Sequence, residues 1–313
     1  MHQDRTGARR CRCWNALLTR GFAFLAVFAL LPAPMGFSQS TKGEPPAAVS
    51  PVPKNLPGNA YVKVRVMSEE TTLPAGGTGY IAIQVKVVDG WHVYWRNNGD
   101  SGAPVVVDWR VPEGVTIGEC QWPVPKRYAQ PGDILDYIFE GSVILIFPVT
   151  VSADIAPGTE ITIGGYVQWL VCSDVCVPGA AEIRFPIGIR SASESGKQTP
   201  FAKVFAEERG QHPIPMTDPA AKIVSATWDE LALVIRCEGA KSMTFFPYEA
   251  FVTPQPKEIL KSGHVEGAEM KIPYDEKALG AAHVVGVVEI TKSDGSIVRV
   301  LIDVPGPEKA VTE

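Results

Sequence analysis

The stretch WLVCSDVCVPG, residues 169–179, holds Cys172 and Cys176 four positions apart. Cysteines at such short spacing staple the chain, clip a metal ion, or exchange electrons as a dithiol and a disulfide. In an extended strand, residues four apart lie about 13 Å from each other, whereas a disulfide needs Cα atoms within roughly 7 Å. The pair can therefore close only if CSDVC turns, and Ser173 and Asp174 are turn-forming residues. Alternation resumes in AEIRFPIGI, which puts Ala181, Ile183, Phe185, Ile187 and Ile189 on one side of a strand. The cysteines are expected at the bend of a hairpin, exposed at one end of a sheet.

Magnitudes help separate the three chemistries. Closing a five-residue loop stabilises by about 2 kcal/mol in the chain-entropy model, against nearly 5 for a loop of ~100 residues. A staple here would be close to its least effective, whereas an exposed bridge over a short loop is easily reduced and suits an exchanger. Zinc wants two further ligands, and no nearby His or Cys in the sequence supplies them. Two thiolates alone suit Cu(I), which is soft and accepts low coordination. His92, between aromatics in GWHVYW, reads as a packed histidine, and His212, His264 and His283 form no spaced cluster. No helix start and no adjacent Lys or Arg acts on the pair, and Asp174 sits between the cysteines, so nothing in sequence lowers a thiol pKa. No Ser-His-Asp motif, phosphate loop or helical metal signature occurs.

The compartment bears on all three readings. Residues 1–20 carry Arg5, Arg9, Arg10, Arg12 and Arg20 with one acid, Asp4, and the apolar run GFAFLAVFALL follows. A basic start, a short apolar core and small residues at Gly36 and Ser38 describe a secretory signal peptide over 1–38. Its core is shorter than the roughly 20 apolar residues of a membrane helix. Cys11 and Cys13 precede the core and leave with it, so Cys120, Cys172, Cys176 and Cys237 remain. The whole chain has a net charge of −5, and losing five arginines and one aspartate takes it to about −9. That charge argues against nucleic acid and anionic membrane surfaces as partners. The mature protein is expected to be soluble and exported, with no stable membrane insertion.

Residues 39–60 are rich in proline and small residues and read as a flexible linker. From Tyr61 the runs YVKVRVM, GYIAIQVKVV, GSVILIFPVTV and TEITIGGYVQWLV alternate or cluster β-branched residues between Gly and Pro turns. This pattern indicates an all-β sandwich over 61–192. TPFAKVFAEERG breaks it: Thr199, Pro200 and Gly210 bracket a short helix in the connecting segment 193–221. A second, smaller β domain is expected over 222–305, with a tail at 306–313. In ELALVIRC, Leu231, Leu233, Ile235 and Cys237 share a face, so Cys237 reads as a buried hydrophobe. Cys120 is less clear, and a Cys120–Cys237 bridge between domains stays open. The aromatics Trp91, Tyr94, Trp95, Trp109, Trp122 and Trp169 suggest a sandwich core before they suggest a glycan platform.

GWHVYWRNNGDSGAPVVVDWRVPEG, QWPVPKRY, LDYIFEGSVILIFPVTV and VQWLVCSDVCVPG occur in that order. Together they resemble the amino-terminal periplasmic domain of the DsbD family of thiol:disulfide interchange proteins, most of all its suppressor-of-copper-sensitivity B branch. The resemblance implies an immunoglobulin-like sandwich with a redox-active pair and no cofactor. It implies that Cys176 forms mixed disulfides with partners and that Cys172 resolves them. It also implies a cap loop at DYIFEG, with Asp136 in the loop and with Tyr137 and Phe139 over the sulfurs. The membrane-embedded and thioredoxin-like domains of the family do not appear by Glu313, so the electron donor is expected on a separate chain. The leading expectation is thus a periplasmic protein-disulfide reductase module, fed by a thioredoxin-like or membrane donor and reducing a disulfide-containing client. Copper(I) binding or copper-stress protection by the same pair is the alternative.

Overall fold

The computed structural model describes residues 55–249 and 254–308. The expected signal peptide, most of the linker and the end of the tail lie outside these residues. The first half contains β1 (Val62–Ser68), β2 (Thr72–Pro74), β3 (Thr78–Val87), β4 (His92–Gly99), β5 (Val106–Arg110) and β6 (Val115–Ile117). It continues with β7 (Lys126–Gln130), β8 (Ile134–Glu140), β9 (Ser142–Val151), β10 (Glu160–Cys172) and β11 (Cys176–Arg190). A helix, α1 (Ala202–Arg209), leads to β12 (Ile214–Pro215), β13 (Val224–Asp229), β14 (Ala232–Cys237) and β15 (Ala240–Pro247). Then come α2 (Ile259–Ser262), β16 (His264–Glu266), β17 (Glu269–Pro273), β18 (Val284–Lys292) and β19 (Ile297–Val304). Among the described residues the protein is all-β apart from these two helices and short single turns.

Two sheets face each other in the first half, with strand orders β1-β3-β9-β6 and β2-β11-β10-β4-β8-β7. Period-two alternation decides which side chains meet between them. Ile81, Ile83 and Val85 from β3 and Leu145, Phe147 and Val149 from β9 meet Val93, Trp95, Tyr137, Trp169 and Val171 from the other sheet. The tryptophans weighed as a glycan platform are spent here: Trp95 and Trp169 are buried, and Trp91, Trp109 and Trp122 pack against the same core. Just ahead of β1, the last linker residues dock instead of trailing. The Trp169 indole N–H donates to the Gly58 carbonyl, and the Ala180 amide donates to Asn59 Oδ1 at 2.8 Å.

The second half packs β13-β14-β17 against β12-β19-β18-β15-β16 around its own core of Leu233, Ile235, Met243, Phe245, Ile272 and Val288. Cys237 is buried in that core and is a free thiol, as is the half-buried Cys120, so no bridge joins the two. The halves are not loosely strung. Phe246 touches Trp95 and Tyr137 edge-on, the Arg96 guanidinium lies 3.7 Å over the Tyr248 ring, and Arg96 pairs with Glu249. Asn97 Nδ2 donates to the Pro247 carbonyl at 2.9 Å. Both halves accordingly fall within one compact unit.

Helix α1 starts two residues later than the sequence suggests. Thr199 still stabilises its entry: the hydroxyl accepts from the Phe201 amide at 3.1 Å and donates to the Ser68 carbonyl at 2.6 Å. Phe205 from this helix is buried against Met67, Ala82 and Ile146 on the outer face of the first sheet.

Candidate functional site

Cys172 ends β10 and Cys176 begins β11, and they stand opposite each other as the last rung of the hairpin. Their Cα atoms are 4.1 Å apart and the sulfurs are joined in a disulfide. The three residues between them make the turn, closed by the Ser173 amide donating to the Val175 carbonyl at 3.1 Å. The pair is asymmetric, contrary to the expectation that both cysteines are exposed. Cys172 is 2 % exposed, while Cys176 is open to solvent beside Val175, which is 61 % exposed.

Register sets the surroundings of the sulfurs. Cys172 also opposes His92 on β4, and His92 opposes Glu140 on β8. Opposed residues point the same way, so Glu140, His92, Cys172 and Cys176 line up across the outer face of the sheet. One step along, Tyr94, Ile138 and Leu170 pack with Cys172 in a small cluster separate from the sandwich core. The Tyr94 hydroxyl reaches the Cys176 sulfur at 3.7 Å and His92 Nε2 at 3.3 Å. Burial lowers the His92 pKa below the usual imidazole range, with Asp136 and Glu140 pulling the other way. Burial raises the Tyr94 pKa, and Asp136 and Tyr128 add to the rise. At neutral pH the sulfur therefore faces a protonated phenol backed by a neutral imidazole.

The expected cap loop is corrected here. DYIFEG lies in strand β8 and its end, and the odd residues of that strand turn inward. Tyr137 is edge-on to Trp95 and Phe246, and Phe139 stacks on Trp122, so both rings belong to the core on the far face from Cys172. Only the even residues of β8 share the disulfide's face. Asp136 is fully buried and accepts from the Ser101 amide at 2.8 Å, the Ser101 hydroxyl at 2.6 Å and Gln130 Nε2 at 2.6 Å. Those bonds fix the loop after β4, and Gly102 of that loop lies flat against the Tyr94 ring. A Cβ at Gly102 would stand 2.1 Å from Tyr94 Cζ, and its φ of +74° already favours glycine. Asp136 thus acts two steps away, holding the loop that backs Tyr94.

His92 and Tyr94 are the neighbours that a search for ligand spacing passes over. Their signal was parity: in GWHVYW, Val93 and Trp95 carry the core alternation, which leaves His92 and Tyr94 together on the opposite face. Among the described residues, no group of three or more His, Cys, Asp or Glu is placed to hold a metal ion.

Residues 63–186 match the family described as thiol:disulfide interchange protein DsbD, N-terminal. The chain carries a DsbD N-terminal-like domain. That domain spans β1 through most of β11 and so includes the whole site. The N-terminal periplasmic domain of ScsB from Proteus mirabilis shares the fold at 17 % identity with a TM-score of 0.51, covering 80 % of this chain and 96 % of that one. The reduced DsbD N-terminal domain of Neisseria meningitidis aligns at 14 % identity with a TM-score of 0.27, covering 42 % of this chain and 87 % of that one. No curated protein matches the sequence. The family matched by residues 63–186 is one of thiol:disulfide interchange proteins, and the disulfide lies inside those matched residues.

Proposed function

We propose that the protein is a periplasmic module that takes electrons from a separate thioredoxin-like or membrane reductase and passes them to disulfide-containing proteins. The observation that carries this reading is the unequal exposure of the two joined sulfurs, with a hydroxyl 3.7 Å from the open one. A thiolate attacks the disulfide sulfur that it can reach. A donor thiolate would bond to the Cys176 sulfur, the Cys172–Cys176 bond would break, and its electron pair would leave on Cys172. A second donor thiolate would then attack the donor sulfur of the mixed disulfide and release Cys176 as a thiolate. Two protons from solvent complete the dithiol, and the donor leaves oxidised. Client reduction runs the same steps in reverse order: Cys176 attacks the client disulfide, and Cys172 resolves the adduct.

In this scheme the Tyr94 O–H donates to the departing Cys176 thiolate, a neutral hydrogen bond to sulfur and therefore a modest aid. No Lys or Arg occurs in the sequence around the pair, residues 169–179, so the isolated dithiol is a slow nucleophile that gains reactivity in a complex. The periplasmic setting is supported by the signal-peptide pattern of residues 1–38. The helices among the described residues are not long and apolar enough to cross a membrane.

Trapping in cells tests the reading. With Cys172→Ala, the remaining Cys176 should hold donor and client as mixed disulfides that mass spectrometry identifies and reductant releases. Recovering no adducts, together with a wild-type pair that resists mild reductants, would return the disulfide to a purely structural role.

A further inference from the structure

Strand β7 is the outer strand of its sheet, and among the described residues it pairs only with β8. Beyond its free edge lies a cleft of about 730 Å³ formed with the second half of the protein. Lys126, Arg127 and Leu135 line one side of it, and Phe246, Lys261 and His264 line the other. The cleft is apolar at its base and cationic at its walls. Lys126 is answered by Glu140 at 2.7 Å, and the acid Glu289 in the cleft is answered by Arg299 at 2.8 Å. Arg127 is not answered by an acid: its Nη2 donates to the carbonyls of Ile259 and Leu260, both at 2.9 Å. Among the described residues no carboxylate pairs with Arg127 or with the exposed Lys261. Burial presses on this uncompensated guanidinium and lowers its pKa.

An open sheet edge offers main-chain donors and acceptors to any extended chain laid beside it. A half-buried cation without a counter-ion favours a carboxylate more strongly there than at an open surface. The cleft is also within reach of the sulfurs. From β11, which begins with Cys176, to β7 is four strand spacings, about 19 Å, which about six extended residues cover.

We propose that this cleft receives an extended acidic segment of the protein that exchanges disulfides with Cys176, laid along β7 as an added strand. The proposal rests on the exchange reading and names the chemistry of its partner. Charged side chains on an edge strand also serve simply to discourage sheet-edge aggregation, and the two roles differ in what binds.

The test uses the full oxidised chain and a fluorescein-labelled decapeptide of alternating glutamate and valine, followed by anisotropy. Saturable binding is expected, weakened at least about tenfold by Arg127→Glu with Lys261→Glu and weakened by added salt. Because Arg127 also holds α2, Lys261→Glu alone is the second variant, and a loss of about threefold is expected from one exposed charge. The matching lysine–valine peptide should not bind. Absence of binding at millimolar peptide, affinity unchanged in both variants, or equal binding of the lysine peptide each overturns the proposal. The exchange reading is checked separately by reducing the wild-type disulfide with dithiothreitol. Resistance there would sink that reading while leaving the peptide result to stand.

Discussion

Reducing the Cys172–Cys176 bridge should cost little stability, and the size of that cost separates an exchanger from a staple. The closed loop has a sequence separation of four, hence five residues. Its chain-entropy contribution is about 2 kcal/mol. The native hairpin has other support: β10 and β11 stay in register over thirteen opposed pairs, from Glu160↔Gly188 to Cys172↔Cys176. Val171, next to the bridge, is wholly buried in the sandwich core. Breaking the S–S bond therefore frees one rung at the end of a ladder that remains in place. For a folded region of this size, about 2 kcal/mol corresponds to a fall in Tm of roughly 4–8 °C. Denaturant titration of the oxidised protein, the dithiothreitol-reduced protein and Cys172→Ser/Cys176→Ser would measure the difference directly. A shared m-value with a lower midpoint is expected in the two bridge-free forms. A loss above about 4 kcal/mol, the upper end of what removing a structural disulfide costs, or a loss of cooperative unfolding would refute the reasoning.

Three further outcomes follow from the site and its supports. In the reduced protein, iodoacetamide should label the exposed Cys176 well before Cys172, Cys120 or Cys237; equal labelling would contradict the exposure described. Tyr94→Phe should slow release of Cys176 from a mixed disulfide by a few-fold, in line with the loss of about 1 kcal/mol of hydrogen bonding. Gly102→Ala should reproduce this by pushing the ring aside and should also lower Tm. Stopped-flow exchange with a model disulfide would read both, and rates like wild type would remove Tyr94 from the chemistry. The third outcome concerns Glu208 in α1 and His212 just beyond it: burial pushes Glu208 up to about 7 and, with Arg209 adding, His212 down to about 4. A raised carboxyl contributes stability at low pH that is lost as pH rises through 7, whereas a lowered imidazole costs stability as pH falls below its usual range. Glu208→Gln should therefore gain on the order of 1 kcal/mol over wild type at about pH 8 and nothing near pH 4. Parallel Tm–pH profiles would rule it out.

The hairpin, its turn and the burial of Cys237 were legible because each depends on local alternation or local turn chemistry. AEIRFPIGI could only resume as a strand if CSDVC turned, and the Cα separation of 4.1 Å follows from that turn. What the sequence misassigned depends on register between distant strands. Tyr137 and Phe139 are aromatic and near the site in the family pattern, yet one-residue parity on β8 sends both rings inward. The same parity leaves Asp136 and Ile138 on the face of the disulfide. Whether Cys172 or Cys176 is the buried partner is likewise set by β4, eighty residues upstream in round terms, because Cys172 opposes His92 and packs with Tyr94 while Cys176 meets the Tyr94 hydroxyl from the open side. No window of sequence around the cysteines carries that information.

Cys172 is also the single residue through which β10 pairs with β4, since β5 occupies the edge of β10 farther along. Among the described residues, β4 and β10 thus meet at one backbone rung, and the residue that makes it also carries a sulfur of the disulfide. Amide signals of His92 and Cys172 should for that reason behave as a built-in gauge, sensing oxidation and the loosening of that rung at once. A spectroscopist following those two peaks during titration with dithiothreitol could read the state of the disulfide without attaching any probe to the protein.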